Sequence, residues 1–192
     1  APAPSAIRRY TLQAVERPLP GLAPPFLIDG TTVYLTDEGR GIAPALAAQL
    51  RAVGANAVVC TDVPSDARAV ICLAGLTAGC REDAMDVNGA AFAAAAAVAA
   101  TYEAQGGLFV TVQDTGGDFG LATNPGERAW LGGLSGLAKT AAQEWPLAVV
   151  RSIDLACAHD GSSVSAEAAA VLTAERLANE LLNGGADLEI GL

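Results

Sequence analysis

The sequence predicts an α/β fold, doubly wound around a mostly parallel sheet, and three observations predict it. From Thr31 onward the chain repeats one order, strand, glycine-bearing turn, helix, strand, which is the unit that builds such sheets. One of its strand candidates, Ala69 to Leu73, is a near-continuous apolar run, as expected of a strand covered on both faces. Finally, 192 residues with 52% apolar and 17% charged side chains, at a mean hydropathy of +0.35, supply one domain with a sizeable core. The same composition excludes a disordered tail, a disulfide miniprotein and a fibre.

The elements follow in order. Ala1 to Ser5 alternates alanine and proline, which resists helix and sheet and reads as a linker. Arg8 to Glu16 carries apolar residues at alternate positions, Tyr10, Leu12 and Ala14, and suits a short strand before Pro18, Pro20, Pro24 and Pro25 prevent regular structure. Residues 1–30 are therefore expected to be a linker and an N-terminal strand arm laid against another surface, and residues 31–192 the domain. Thr32 to Thr36 is the first strand. Ile42 to Val53 is a helix with its apolar stripe at Ile42, Leu46, Leu50 and Val53, ending before Gly54. Ala57 to Cys60 and Ala69 to Leu73 are strands, Asp83 to Ala104 a long alanine-rich helix closed by Gly106 and Gly107, and Leu108 to Val112 the next strand. Asn124, Pro125 and Glu127 stand in N-cap, N1 and N3 order, so a helix should begin there and run to about Trp145, where Pro146 stops it. Val149 to Leu155 is a strand, Ser165 to Leu182 an amphipathic helix ended by Asn183 and Gly184, and Leu188 to Ile190 a final strand. Between the strands at Ala57 and Ala69 there is too little chain for the usual crossover of about a dozen residues or more. One strand–helix step of a full Rossmann domain is missing, so the expected architecture is a truncated Rossmann-like one.

Charge and cysteine usage narrow the function. Eleven basic against twenty-one acidic side chains give a net charge of −10, the wrong sign for a phosphate backbone or an anionic membrane, so neither nucleic acid nor membrane is an expected partner. Cys60, Cys72, Cys80 and Cys157 show no C-x-x-C spacing, and His159 has no cluster to complete a zinc site, so no metal is expected and the cysteines read as buried, reduced thiols. With no charged-then-apolar leader, and with the apolar run Ala90 to Ala100 too short to span a bilayer, the expected location is cytoplasmic.

The turn from Thr36 to Ala43 lies between a strand and a helix, where a dinucleotide pyrophosphate binds in this architecture. In the short-chain dehydrogenase/reductase family the loop reads Thr-Gly-x-x-x-Gly-x-Gly, and this segment resembles it at Thr36, Gly41 and Ile42. Asp37 and Ala43 replace two of the three glycines. Asp37 and Glu38 would set carboxylates against the pyrophosphate, each repulsion worth roughly 4 kcal/mol at 4 Å and an effective dielectric near 20. The reading is a vestigial loop, with Thr36, Gly39 and Gly41 keeping a tight turn and no bound cofactor. Asp62 is placed to mimic the acid that holds a ribose; capping or solvation explains it as well.

Catalysis in that family uses a tyrosine made acidic by a lysine four residues later, because an unassisted phenol near pKa 10 exchanges protons poorly at neutral pH. The only lysine is Lys139, and the residue four before it is Ser135. Tyr10, Tyr34 and Tyr102 are followed at that spacing by Ala14, Glu38 and Gly106, and the Tyr-x-x-x-Asn variant is absent. No local proton relay can be written, and no catalytic residue is assigned. His159 sits in a polar loop-like stretch without a Gly-x-Ser-x-Gly elbow. Asp114 and Asp118 flank Thr115-Gly116-Gly117 after a strand, where carboxylates cap turns or hold a weak metal site.

The most informative segment is Glu127 to Pro146. Its apolar residues Trp130, Leu134, Leu137, Ala141 and Trp145 share one helical face, and Gly132, Gly133, Ser135 and Gly136 line much of the rest, which suggests close approach by another backbone and a docking helix. The pattern Gly136-Leu137-Ala138-Lys139-Thr140-Ala141-Ala142-Gln143-Glu144-Trp145-Pro146, then Ile153-Asp154-Leu155, resembles the structural subdomain of ketoreductases in type I polyketide synthases. The wording Lys-Thr-Ala-Ala-Gln-Glu-Trp-Pro, with Thr36-Asp37-Glu38-Gly39, leans toward the polyunsaturated-fatty-acid-synthase type. The resemblance extends over most of the chain, including the arm near Tyr10, Ile71 to Leu76 and Glu180 to Gly185. It implies one of two Rossmann-like halves: this one without a cofactor site, buttressing a catalytic NADPH-dependent half that follows Leu192. The expected function is thus a non-catalytic scaffold whose partner is the catalytic ketoreductase subdomain of the same megasynthase. Two alternatives stay open: a divergent NADPH-dependent reductase of β-ketoacyl thioesters using Ser135 and Lys139, and an adaptor that binds a protein through its Gly132 to Gly136 face.

Overall fold

The computed structural model describes residues 11–122, 124–157 and 165–192. Among the described residues eleven elements alternate in the predicted order, most boundaries shifted by a residue or two and the helix expected from Asn124 to Trp145 divided into two. They are β1 (Thr32–Thr36), α1 (Ile42–Ala52), β2 (Asn56–Cys60), β3 (Ala69–Gly75), α2 (Arg81–Gln105), β4 (Leu108–Gln113), a 3-10 helix (Gly126–Leu131), α3 (Gly132–Glu144), β5 (Val149–Asp154), α4 (Ala166–Asn183) and β6 (Glu189–Gly191). The six strands form one parallel sheet in the order β2-β1-β3-β4-β5-β6. A full doubly wound sheet runs 3-2-1-4-5-6. Aligned on β1, this sheet has one strand instead of two on the near side, the outermost being lost, and four instead of three on the far side; the eight residues between β2 and β3 pass across β1 without a helix.

Helices cover both faces. On one, Leu46 and Leu50 of α1 and Leu177 and Leu181 of α4 pack on Val33, Leu35 and Ile71. On the other, Val98 and Tyr102 of α2, Ala138 and Ala141 of α3 and Trp145 just after it pack on Val70, Cys72 and Phe109. Tyr102, Phe109 and Trp145 meet edge to face, with ring centroids 5.1 to 6.5 Å apart. Gly107 is required there, since a Cβ would lie 2.6 Å from the Tyr102 ring and 2.8 Å from the Arg68 carbonyl. By length and composition α2 could cross a bilayer. In this fold it lies on the sheet, with Ala84, Ala91, Ala95, Val98 and Tyr102 buried.

Three expectations need correction. Residues 11–16 form no strand; they are exposed and lack regular structure, and the rest of the expected strand, Tyr10 included, lies outside the described residues together with the Ala1 to Ser5 linker and His159. Alternation makes a strand only where a neighbour can pair with it, and none of the six strands does. The arm is tied down further along. Asn183 O accepts from Gly21 N at 2.9 Å, Gly185 N donates to Leu22 O at 2.8 Å, and Arg17 pairs with Asp187 at 2.9 Å.

The helix expected from Asn124 starts two residues later, at Gly126, with Pro125 in the N-cap position and no side-chain cap; Asn124 Oδ1 accepts from Gly126 N at 3.0 Å in the turn before it, and Gly126–Leu131 is 3-10. Three residues per turn instead of 3.6 shifts the phase of the stripe. The buried line is therefore Leu131, Leu134, Ala138, Ala141 and Trp145, while Trp130 is half exposed beneath the Arg81 guanidinium, 4.5 Å from its ring centroid. The glycines of α3 also differ from expectation. Gly133 abuts the Asn88 side chain rather than a backbone, and a Cβ at Gly132 or Gly136 would meet nothing within 4 Å.

One buried ion pair escaped the sequence. Arg151 of β5, wholly buried, donates through Nη2 to Glu180 Oε1 and through Nε to Asp187 O at 3.2 Å, joining α4 to the turn before β6.

Candidate functional site

Ligands of open α/β sheets bind outside the carboxyl ends of the strands, where the first strand–helix turn directs its amides at an anion. Here that turn runs from Thr36 to Ala43. Thr36 ends β1, and its hydroxyl accepts from Leu73 N across the β1–β3 seam at 2.9 Å. Asp37 turns back to accept from Gly39 N at 3.0 Å. Gly39 and Gly41 then adopt left-handed conformations, φ 76° and 88°, which glycine takes without strain. The two reversals aim the next amides inward.

Glu38 occupies the space they enclose. Its Oε1 accepts from Ile42 N at 2.5 Å and Arg40 N at 3.2 Å, and its Oε2 from Ala43 N at 2.8 Å. The residue is only 8% exposed. The sequence suggested two carboxylates repelling an arriving anion; instead one caps the turn and the other sits in the anion's place. A Glu just before a helix is favoured by the helix dipole, and that is the one signal that could have revealed it.

Two clefts open at this end of the sheet. One, of about 380 Å³, lies between α2 and the strand ends and is lined by Asp62, Val63, Cys72, Ala94 and Leu134. Asp62 is exposed there at the end of β2. The other, about 230 Å³, is lined by Arg40, Thr77, Asp114 and Arg128.

The loop after β4 is locked by its acids. Asp114 pairs with Arg128 at 2.6 Å and accepts from Cys157 N at 3.3 Å. Asp118 accepts from Gly120 N and Ala122 N, and the buried Asp154 accepts from Thr115 N at 2.6 Å and Phe119 N at 2.7 Å. Asp114 and Asp118 thus serve turns, and no group of three His, Cys, Asp or Glu side chains suited to a metal occurs among the described residues. The positioning role of Asp154 was not visible in the sequence, where it stood only as part of a motif.

Ser135 and Lys139, brought together only by helical spacing, are engaged separately. The Ser135 hydroxyl donates to Gly132 O at 3.1 Å, and Lys139 pairs with Glu189 of β6 at 2.8 Å. Tyr102 donates to Leu108 O at 2.7 Å, and burial pushes its phenol well above its ordinary value. Tyr34 is half-buried against the α2–α3 face. All four cysteines are free, but only Cys72 is fully buried, a correction to the expectation that all would be. Burial, with the Cys60 thiol adding to it, pushes Cys72 up to about 12, and burial followed by the charge of Asp114 pushes Cys157 up to about 12. Both are poor nucleophiles at neutral pH.

No family model matches the chain, and no curated protein matches it significantly. Solved structures do. It is similar to a short chain dehydrogenase from Burkholderia cenocepacia J2315 in complex with NADP, at 17% identity over 86% of this chain and 90% of that one, with a TM-score of 0.64. An oxidoreductase of the short chain dehydrogenase/reductase family from Brucella ovis, in complex with a partially ordered NAD, aligns at 15% identity over 85% and 100% of the two chains, with a TM-score of 0.56. A short-chain dehydrogenase/reductase from Serratia marcescens BCRC 10948 aligns at 15% identity over 85% and 97%, with a TM-score of 0.51. The likeness shows the fold: a truncated Rossmann-like sheet of the short-chain dehydrogenase type. The turn of this chain does not fit the pyrophosphate of a dinucleotide, because Glu38 holds the amides that would receive it.

Proposed function

We propose that the chain is a non-catalytic structural subdomain that supports the NADPH-dependent β-ketoacyl reductase domain of a polyketide or fatty acid megasynthase. The observation that carries this reading is the seat of Glu38, whose carboxylate fills the amide cradle of the first turn. The engagement of Lys139 by Glu189 supports it, since the one ammonium in the sequence serves a strand rather than a phenol. So do the surfaces left for a partner: the exposed Leu12, Val15 and Leu19 of the arm, Met85 and Phe92 on α2, and the open glycines of α3. The partner is the catalytic subdomain of the same cytoplasmic megasynthase, and the chain needs no cofactor of its own.

Titrating NADPH into the protein in a calorimeter tests the reading. No saturable heat is expected; micromolar binding would sink it. The cleft of about 380 Å³ beside Asp62 favours a second reading, a divergent reductase in which Ser135 and Lys139 form a reduced active site. That reading requires Lys139 to leave Glu189, and substituting it by alanine would then abolish ketone reduction.

A further inference from the structure

A parallel sheet is ordinarily covered on both faces, and part of this one is not. Every residue of β4 is buried, because α1 and α4 lie to one side and α2 and α3, over β3, β4 and β5, to the other. In β1 burial alternates instead. Val33 and Leu35 pack under α1 and α4, while Thr32, Tyr34 and Thr36 on the opposite side stay partly open. Val58, level with Tyr34 on β2, is exposed. A crossover of ordinary length would lay a helix over this half of the sheet, beside α2. The eight-residue link after β2 has no helix, and between it and α2 the groove of about 380 Å³ is left. We infer that this groove seats an amphipathic helix of a partner protein, one that carries lysine or arginine beside its apolar stripe.

The shape of the groove fits a helix. Its α2 wall is Ala90, Ala93, Ala94 and Ala97, which share one flank of that helix. Ten residue steps separate Val87 from Ala97 at its two limits, about 15 Å or three turns. Alanine walls let two helix axes come to the near end of the usual range of about 8–10 Å. The floor holds the buried Cys72 thiol, and one end is closed where Thr101 Oγ1 donates to Ser65 O at 2.9 Å. Apolar side chains of an incoming helix would fill the space while its backbone lay above them.

Charge selects the occupant. Asp37 and Asp62 are the charged residues that line the groove; both are exposed, and neither is in an ion pair among the described residues. A nucleotide would bring phosphates to that rim, and a second copy of this chain, at a net charge of −10, would bring mostly acid. A basic helix meets it with the opposite sign. The inference goes beyond the scaffold reading, since it states what a partner presents and holds for any protein that presents it.

Selection of a phage-displayed library of helices on the full chain tests it, with an apolar stripe at helical spacing and all other positions random. Enriched peptides should carry lysine or arginine beside the stripe, bind with a saturable micromolar Kd and shift the Ala93 and Ala97 amide NMR signals. They should bind at least about tenfold more weakly to Ala93→Arg and to Asp62→Lys. Both positions are exposed, so the unfolding midpoint should hold in each variant. Recovery of no helix, of acidic helices, or of helices indifferent to both substitutions overturns the inference. So does a dimer seen in sedimentation that Ala93→Arg abolishes, because the occupant is then a second copy. None of these results alters the NADPH titration that tests the scaffold reading.

Discussion

Two regions of this molecule bury a glutamate, and they stabilise it by different means. At the corner of β5 and α4, Glu180 meets Arg151, charge against charge, with both side chains almost wholly removed from solvent. At the first turn, Glu38 meets only backbone amides and the start of α1. The first is a device for fixing one element against another, and it ties α4 to the turn before β6 that also receives the arm through Asp187 and Asn183. The second lies where this fold class receives anions. A cation joins two elements at Glu180, whereas amides alone hold Glu38 to its own turn, as they hold the buried Asp154 to the loop after β4.

The contrast can be broken most forcefully at Arg151. Arg151→Ala leaves Glu180 buried and unpaired, and about 3–5 kcal/mol of stability should be lost in urea unfolding, or the protein should fail to accumulate folded. Glu38→Ala removes the charge and leaves amides that water can reach at the edge of the sheet, so the loss should be smaller, about 2 kcal/mol by the same measurement. If the two losses were reversed, the distinction between an inter-element joint and a capped turn would be wrong. The smallest effect belongs to Lys139→Ala. Its ion pair with Glu189 is exposed by 41% and 32% on the two sides, so the expected loss is under about 1 kcal/mol. Full retention of the unfolding midpoint together with loss of a measurable ketone reduction would replace the scaffold by a reductase.

A pH series sharpens the comparison by separating thiols from acids. The folded protein holds Cys72 protonated up to about 12, whereas in the unfolded chain the thiol ionises near its ordinary value of 9.0. Its contribution is intact below pH 9 and is lost as pH rises toward 12, amounting to about 1 kcal/mol by pH 10. The unsubstituted protein should therefore lose more stability than Cys72→Ala between pH 8 and pH 10, measured as the difference in urea midpoints. Equal slopes would show that Cys72 is not sealed beneath α2.

Most of the architecture was legible because it rests on periodicity. The runs at Thr32–Thr36 and Ala69–Leu73, the stripe at Ile42, Leu46 and Leu50, and the short link after β2 carry the sheet, its helices and the missing strand. What failed depends on geometry that no residue pattern carries. The phase of α3 was misread because six residues of 3-10 helix precede it, and the arm was misread because pairing needs a neighbour that alternation cannot supply. Within the site, Thr36, Gly39 and Gly41 could be placed on the turn, but the inward course of Glu38 depends on two glycine backbone reversals that a string of letters does not encode. Arg151 and Glu180 lie 29 residues apart on different elements, with nothing in the spacing to join them.

The loss of the outer strand has a colloidal consequence. It makes β2 the margin of the sheet, a five-residue ribbon from Asn56 to Cys60 whose outward row of hydrogen-bonding groups faces no other strand among the described residues. That ribbon contains neither lysine nor proline, and its register with β1 is unbroken by a bulge; the defence it does carry is Arg51, whose Nε donates to Ala57 O at 2.8 Å. Val58, on the same ribbon, is 37% exposed. Recruitment of a second chain onto this sheet would have to displace Arg51 from that border.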